Sequence, residues 1–134
     1  MKAPPLDALA KRADEIVACA RRWVEENSHT YNVAGTNAVA ALLARDFALG
    51  GLRLEPIDSR TFGRHLVWRT PAASQAPPIL LIGHHDTVFP PGQFEGWRQD
   101  GDRAVGPGAL DMKGGWAIVR AVLATLDEVG ALAG

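Results

Sequence analysis

The chain has 134 residues, which is within the usual size of one domain and long enough to bury a substantial core. Hydrophobic residues make up 47% and charged residues 22% of the sequence, a composition that is typical of globular proteins and argues against intrinsic disorder. The 14 basic and 15 acidic residues leave a formal net charge of −1, so the basic excess typical of nucleic-acid-binding proteins is absent.

The single cysteine and the lack of long apolar segments indicate the cellular compartment of the protein. Cys19 has no cysteine partner within the chain, which excludes a small secreted fold held together by internal disulfides. Residues 1–5 lead into charged residues without the apolar region of a signal peptide, and no apolar run is long enough to span a bilayer. We therefore expect a soluble, cytoplasmic protein that binds neither nucleic acid nor a membrane.

Two helices are predicted in the first part of the chain. Apolar residues recur in steps of three and four over residues 6–26, which predicts one amphipathic helix. Its apolar face carries Leu9, Ala13, Ile16, Ala20 and Trp23. Cys19 lies beside this face and is expected to be a core residue. Thr36 or Asn37 is expected to cap a second helix, which ends at the glycine pair 50–51.

Three strands are predicted in the middle of the chain. An alternating stretch begins at Leu52, and the sequence HLVWR predicts a second strand at His65–Arg69. After a loop rich in Pro, Ala and Ser at residues 70–78, the run Ile-Leu-Leu-Ile at 79–82 is apolar on both faces, which predicts a buried interior strand. The Asp-Gly pair at 100–101 is a turn signal.

A last helix is predicted from near Asp111 to the end of the chain. Its inward-facing residues are expected to be Val119, Val122, Leu126 and Val129. The order of helices and strands along the chain predicts an α/β fold.

The first cluster of polar residues follows the predicted interior strand. Residues two apart in a strand share a face, so His84 and Asp86 can converge while His85 points away. An aspartate that accepts the ring N–H of a histidine leaves the other ring nitrogen free to bind a metal. Taken alone, this short pattern favours a loop histidine and a capping aspartate, because short patterns recur by chance.

The second cluster is the glycine-rich sequence GPGALDMKGG at residues 106–115. Its glycines allow the backbone to approach a ligand closely, and Asp111 stands at the start of the last predicted helix. Asp111 could cap that helix, or its two oxygens could bridge two cations. A phosphate-binding loop is a third interpretation, but Lys113 precedes Gly-Gly and the match to that motif is poor.

Together the two clusters resemble a known enzyme family. The stretch LLIGHHDTVFP, followed about 25 residues later by GPGALDMKGG and a helix, resembles the zinc-dependent family of glutamate carboxypeptidase, acetylornithine deacetylase and succinyl-diaminopimelate desuccinylase. The turn between Ser28 and Gly35 fits too, so the resemblance covers nearly the whole chain. It implies an α/β fold with a mixed sheet flanked by helices, in which residues 1–134 form the N-terminal portion of a zinc-exopeptidase-like catalytic domain.

The resemblance also implies roles for individual residues. His84 is similar to the family's metal ligand at the first site, and Asp86 to the catalytic carboxylate that orients this histidine and modulates the zinc. Asp111 is similar to the carboxylate that bridges two metal ions and precedes a peptide bond that is characteristically cis. The implied cofactor is zinc, two ions in the complete enzyme, with cobalt or manganese as possible substitutes.

The implied reaction is the hydrolysis of an amide or peptide bond in a small peptide or an N-acyl amino acid. Two cations about 3.5–4 Å apart polarise the carbonyl and lower the pKa of a water. The resemblance further implies that the complete enzyme is a homodimer.

The chain departs from the family pattern after the second cluster. The family supplies a Glu-Glu pair there, of which the first residue is the general acid/base and the second a zinc ligand, and no such pair follows Asp111. The pair Glu25-Glu26 lies on the solvated face of the first predicted helix. We therefore expect an N-terminal fragment that lacks a dimerisation or lid domain and is inactive alone. The alternative is a non-catalytic binding or scaffold domain that retains the hydrolase fold.

Overall fold

The computed structural model describes residues 6–71 and 77–132. Residues 1–5, residues 72–76 of the predicted loop, and residues 133–134 lie outside the described part. The helices are α1 (Leu6–Ala10), α2 (Ala13–Glu25), α3 (Val33–Asp46) and α4 (Lys113–Glu128). The strands are β1 (Arg53–Ile57), β2 (His65–Arg69), β3 (Arg98–Asp100) and β4 (Arg103–Val105). No helix in these two segments is both long enough and apolar enough to cross a membrane.

The predicted first helix is interrupted between α1 and α2. The backbone N–H of Arg12 bonds to the carbonyl of Leu9, at 2.9 Å, which is a step of three residues and therefore not α-helical. The Arg12 guanidinium pairs with Glu15, at 2.8 Å, and also with Glu128 of α4. The prediction of one continuous helix is thus wrong at residues 11–12, where the ion pair with Glu128 links the turn to α4.

The second helix starts earlier than predicted, because Asn32 is its cap. The Asn32 side chain accepts a hydrogen bond from the N–H of Gly35 at 3.2 Å. Thr36 lies inside α3, where its hydroxyl donates to the Asn32 carbonyl at 2.9 Å. A Cβ at Gly35 would lie 1.9 Å from the carbonyl oxygen of Asn27, so only glycine fits where this turn meets the helix.

The core lies where α2, α3 and α4 meet. Its largest buried side chains include Trp23 and Phe47, which stack with ring centroids 6.1 Å apart. Trp68 of β2 and Trp116 of α4 also contact the Phe47 ring. Cys19 is buried in this cluster, as predicted.

The buried face of α4 differs from the predicted one. Its buried residues are small or polar: Lys113, Ala117, Ala121, Ala124 and Thr125. The larger predicted residues Val119, Val122 and Leu126 are half-buried, and Val129 is 55% exposed. Alanines allow α4 to approach α2 closely, which explains why the small face is the one turned inward.

The described strands form two separate antiparallel hairpins. In the first, Leu54 of β1 lies opposite Trp68 of β2. The second pairs β3 with β4 across the predicted Asp-Gly turn, where Gly101 has a φ of +55°. Helices combined with small sheets are compatible with the predicted α/β class, although the two hairpins do not join into one mixed sheet within the described residues.

The predicted interior strand at residues 79–82 is wrong. These residues have no strand conformation, and their exposed fractions run from 57% at Leu81 to 91% at Ile79. An apolar run is buried as a strand only when neighbouring strands and a helical layer cover it. Within the described segments no strand pairs with residues 79–82, so the run stays in solvent.

Candidate functional site

The structure brings together the three residues singled out by the sequence. Nδ1 of His84 lies 3.2 Å from Oδ1 of Asp86, and Nε2 of His84 lies 3.1 Å from Oδ1 of Asp111. Nδ1 also lies 3.1 Å from the backbone carbonyl oxygen of Asp86. The imidazole is thus held between two carboxylates, with a different ring nitrogen facing each one.

The neighbouring His85 points away from this site, as the sequence predicts, although residues 83–86 do not form a strand. Its Nε2 lies 3.2 Å from the backbone carbonyl oxygen of Arg64. Burial lowers the pKa of His85, although the Arg64 carbonyl and the Asp86 charge oppose this effect. His85 is therefore a half-buried histidine that is directed at Arg64 and not at the site.

Backbone hydrogen bonds attach the loop of His84 and Asp86 to the segment between α2 and α3. The N–H of Thr30 donates to the carbonyl of Thr87 at 3.1 Å, and the N–H of Thr87 donates to the carbonyl of Ser28 at 2.8 Å. The buried hydroxyl of Ser28 donates to the carbonyl of His85 at 2.8 Å. These bonds form a short parallel bridge, which holds residues 85–87 although they belong to no named strand.

Thr30 is a residue of this site that the sequence interpretation missed. Its hydroxyl donates a hydrogen bond of 2.6 Å to Oδ2 of Asp86. Thr30 and Asp86 are 56 positions apart in the chain. The two motifs do not predict which residue of the turn between the helices lies opposite Asp86. The turn at Ser28 to Gly35 was recognised only as part of the family resemblance.

Asp111 lies in a tight loop just before α4. The residue at the N-cap of α4 is Met112, and neither it nor Asp111 caps the helix with a side-chain hydrogen bond. The peptide bond between Asp111 and Met112 is cis, as the resemblance implies. The interpretation of Asp111 as a helix cap is therefore wrong, and its side chain, 82% exposed, is turned toward His84 instead.

Contacts with α4 fix the backbone of His84. The indole N–H of Trp116 donates to the His84 carbonyl at 2.9 Å, and Sδ of Met112 accepts from the His84 N–H at 3.4 Å. A Cβ at Gly83 would lie 2.6 Å from both of these side chains. The glycine before His84 therefore lets the loop pack directly on the start of α4.

Lys113 has a structural position rather than a place at the site surface. It is 1% exposed, and its Nζ donates to the carbonyl of Glu26 at the end of α2 at 3.1 Å. Burial lowers its pKa to about 8, although the charges of Glu26 and Asp86 oppose the shift. This buried ammonium links α4 to α2 beneath the site, so a phosphate-binding role for it finds no support in its position.

The groups around His84 shift its pKa in opposite directions. Partial burial on its own would lower the pKa of His84, but hydrogen bonding to the Asp86 carbonyl and to the Asp111 carboxylate, with the charges of both aspartates, raises it above the usual value. A cation between Nε2 and Asp111 would replace the proton that this arrangement attracts.

The donor set suits a metal ion in part. A histidine nitrogen and a carboxylate oxygen are ligands that zinc commonly takes, and the second ring nitrogen of His84 faces the backbone carbonyl and the carboxylate of Asp86, both of which are outer partners found in histidine–zinc sites. Among residues 6–71 and 77–132, no group of three or more His, Cys, Asp or Glu side chains is arranged to hold a metal ion. The described residues therefore offer two metal ligands at this site, His84 and Asp111.

A cavity of about 330 Å³ opens beside the site. Its wall contains His84, Asp86 and Asp111 together with the aromatic rings of Phe89 and Phe94. The two rings meet edge to face with centroids 4.8 Å apart. The cavity thus combines a polar side with an apolar one, as small-molecule sites commonly do.

Comparison with known proteins tests the family resemblance that the two motifs predict. No model of a known protein family matches the chain. The succinyl-diaminopimelate desuccinylase of Methylobacterium nodulans is 44% identical over 63 residues, a match that covers 41% of this chain and 16% of the relative. The chain therefore corresponds to only a small part of that protein's length. The resemblance predicted from the two motifs is confirmed by this partial similarity to a succinyl-diaminopimelate desuccinylase.

Proposed function

We propose that this chain supplies part of the active site of a metal-dependent hydrolase that cleaves amide or peptide bonds. The observation that carries the proposal is the approach of His84 Nε2 to Asp111 Oδ1 at 3.1 Å, with Asp86 on the opposite side of the ring. The similarity to a desuccinylase supports a hydrolase of this general kind. His84 and Asp111 would hold zinc, with cobalt or manganese as substitutes.

When bound, zinc would polarise the substrate carbonyl and activate a water. The residues of the chain would prepare the site for it. With Nδ1 of His84 protonated, its N–H would donate to the backbone carbonyl of Asp86 at 3.1 Å, with the Asp86 carboxylate beside it at 3.2 Å, and this would leave the Nε2 lone pair directed at the metal position. Asp111 offers one oxygen on the His84 side, and its exposed carboxylate leaves the other oxygen accessible to a second cation.

The substrates we propose are N-acyl amino acids or small peptides, which the cavity between the carboxylates and the two phenylalanine rings could accept in part. We also propose that residues 1–134 form the N-terminal portion of the catalytic domain and that the complete enzyme binds two zinc ions and is a homodimer. The match over 16% of the relative supports a partial correspondence of this kind.

One observation favours a second candidate function. The described residues offer two metal ligands at the site, whereas a catalytic zinc normally has three protein ligands and a water. A binding or scaffold domain that retains the hydrolase fold would need no complete ligand set.

Cobalt titration separates the two candidates. The visible absorption of Co²⁺ is measured for the wild-type chain, for the His84→Ala and Asp111→Ala variants, and for His65→Ala, which removes an exposed histidine of β2. Addition of N-acetylglycine then tests whether a substrate-like carboxylate reaches the metal. The hydrolase proposal predicts bands that require His84 and Asp111, persist in His65→Ala and shift with N-acetylglycine. Bands that are absent, or that survive both site substitutions, would favour the scaffold.

A further inference from the structure

We propose that Thr30 is a positioning residue of the site, because its hydroxyl holds the Asp86 carboxylate in the orientation that directs His84 toward a metal. This inference rests on the proposed function and extends it to a residue that contacts neither the metal position nor the substrate. The role is assigned from three linked contacts: Thr30 to Asp86, Asp86 to His84, and His84 to Asp111.

The first step concerns the direction of the Thr30 hydroxyl proton. Oγ1 of Thr30 lies 2.6 Å from Oδ2 of Asp86 and 3.4 Å from the Thr87 carbonyl oxygen. A hydroxyl has one proton to donate, and the short distance to a carboxylate oxygen is that of a charge-assisted hydrogen bond. The proton therefore belongs to the bond with Asp86.

The second step concerns the two oxygens of Asp86. Oδ2 accepts from Thr30, while Oδ1 lies 3.2 Å from Nδ1 of His84, beside the hydrogen bond of that nitrogen to the Asp86 backbone carbonyl at 3.1 Å. The terminal torsion of an aspartate has a broad, roughly two-fold energy profile and is not fixed by the side chain itself. The bond from Thr30 supplies the missing restraint on this torsion.

The third step separates this role from a general contribution to folding. The position of Thr30 is already fixed by its backbone N–H, which donates to the Thr87 carbonyl at 3.1 Å. Valine has nearly the shape of threonine and keeps that backbone bond, so Thr30→Val removes the hydroxyl and leaves the bridge between the two segments in place. The effect of the substitution should therefore appear at His84 and not in the fold.

The test measures two quantities in the full chain with Thr30→Val, Thr30→Ser and Thr30→Ala. The first is the dissociation constant of zinc by calorimetry, and the second is the ¹⁵N chemical shifts of the His84 ring in the metal-free protein. Thr125→Val is the matched control, because it removes a threonine hydroxyl that bonds within α4, to the Ala121 carbonyl at 2.9 Å. Amide spectra and melting curves check that each variant is folded.

We expect Thr30→Val to weaken zinc binding by about 3- to 10-fold, less than the 10- to 100-fold typical of partners that contact a ligand directly. Its His84 ring shifts should change, Thr30→Ser should restore both quantities, and Thr125→Val should alter neither. In an Asp86→Ala background Thr30→Val should have no further effect on zinc binding, since its influence passes through Asp86.

Unchanged zinc affinity and ring shifts in folded Thr30→Val would overturn the inference, as would an equal effect in the Asp86→Ala background. Failure of both the Val and Ala variants to fold would overturn it too, because the hydroxyl would then serve the fold. If wild-type protein binds no zinc, the proposed function fails. The ring shifts of the metal-free variants still decide whether Thr30 positions His84.

Discussion

His84 and Asp111 are 27 positions apart in the chain, yet Nε2 of the first lies 3.1 Å from Oδ1 of the second. The indole N–H of Trp116 donates to the carbonyl of His84 from the first turns of α4, which ties the two loops together. The pair is exposed to solvent, with 46% of the His84 side chain and 82% of the Asp111 side chain accessible. A polar pair that is preorganised and open to solvent is suited to bind a ligand rather than to stabilise the core.

Phe47 is the centre of the aromatic core, and its removal should destabilise the protein strongly. The ring is 2% exposed and contacts Trp23, Trp68 and Trp116. Phe47→Ala is expected to lower the free energy of unfolding by about 3–5 kcal/mol, as measured by urea denaturation. Phe62→Ala, at a position that is 40% exposed, is the control and should cost less than about 1 kcal/mol. Similar losses for both variants would show that the core has been misplaced.

The buried Lys113 should make stability rise at alkaline pH. Its pKa is lowered to about 8 from an ordinary value of 10.5, so between these values the unfolded chain binds more protons than the folded one. Stability therefore rises with pH across this window, and the cost of burying the charge is fully present below pH 8. Relative to Lys113→Met, the wild type should gain up to ~3 kcal/mol between pH 7 and 11.

Urea denaturation of both proteins across this pH range measures the difference. Lys11→Met, which removes an exposed lysine, serves as a control for the loss of a surface charge. A constant difference between wild type and Lys113→Met would mean that the Lys113 ammonium is solvated in the folded protein.

Local patterns in this sequence predict local structure, but they do not predict contacts between segments that are distant in the chain. The spacing of apolar and polar residues correctly predicts β2 and the position of His84 and Asp86 on one side of their segment. Both features depend only on residues that are close together in the chain. The same reasoning failed at residues 79–82, since an apolar run is buried only if other segments cover it. Thr30 was missed for a related reason: its partner Asp86 is far away in the chain, and no local pattern encodes their approach.

The exposed apolar run at residues 79–82 should make the chain associate with itself. Ile82 is 82% exposed in a stretch without charged residues, and such a segment is prone to pair with other copies. Sedimentation velocity should show concentration-dependent association of the wild type that Ile82→Lys reduces. Val129→Lys makes the same chemical change at another exposed site, 55% accessible, and should reduce association less. A wild-type chain that stays monomeric at high concentration would contradict this expectation.

Catalysis by the 134-residue chain alone is expected to be negligible. His84 and Asp111 give a cation only two ligands, and removal of a general base typically costs about 10²–10⁴-fold in rate. The assay compares the wild type with His84→Ala and Asp111→Ala on N-acyl amino acids and dipeptides, with zinc or cobalt added. Turnover by the wild type that disappears in both variants would show that the described residues form a more complete site than two ligands.

The central claim is that His84 and Asp111 bind one metal ion between them. Anomalous diffraction at the zinc edge, from crystals grown with zinc, locates the ion directly. We expect a peak about 2.0–2.2 Å from Nε2 of His84 and from a carboxylate oxygen of Asp111, with Asp86 remaining on the Nδ1 side of the ring. A peak at other residues, or no peak beside His84 at saturating zinc, would contradict the account.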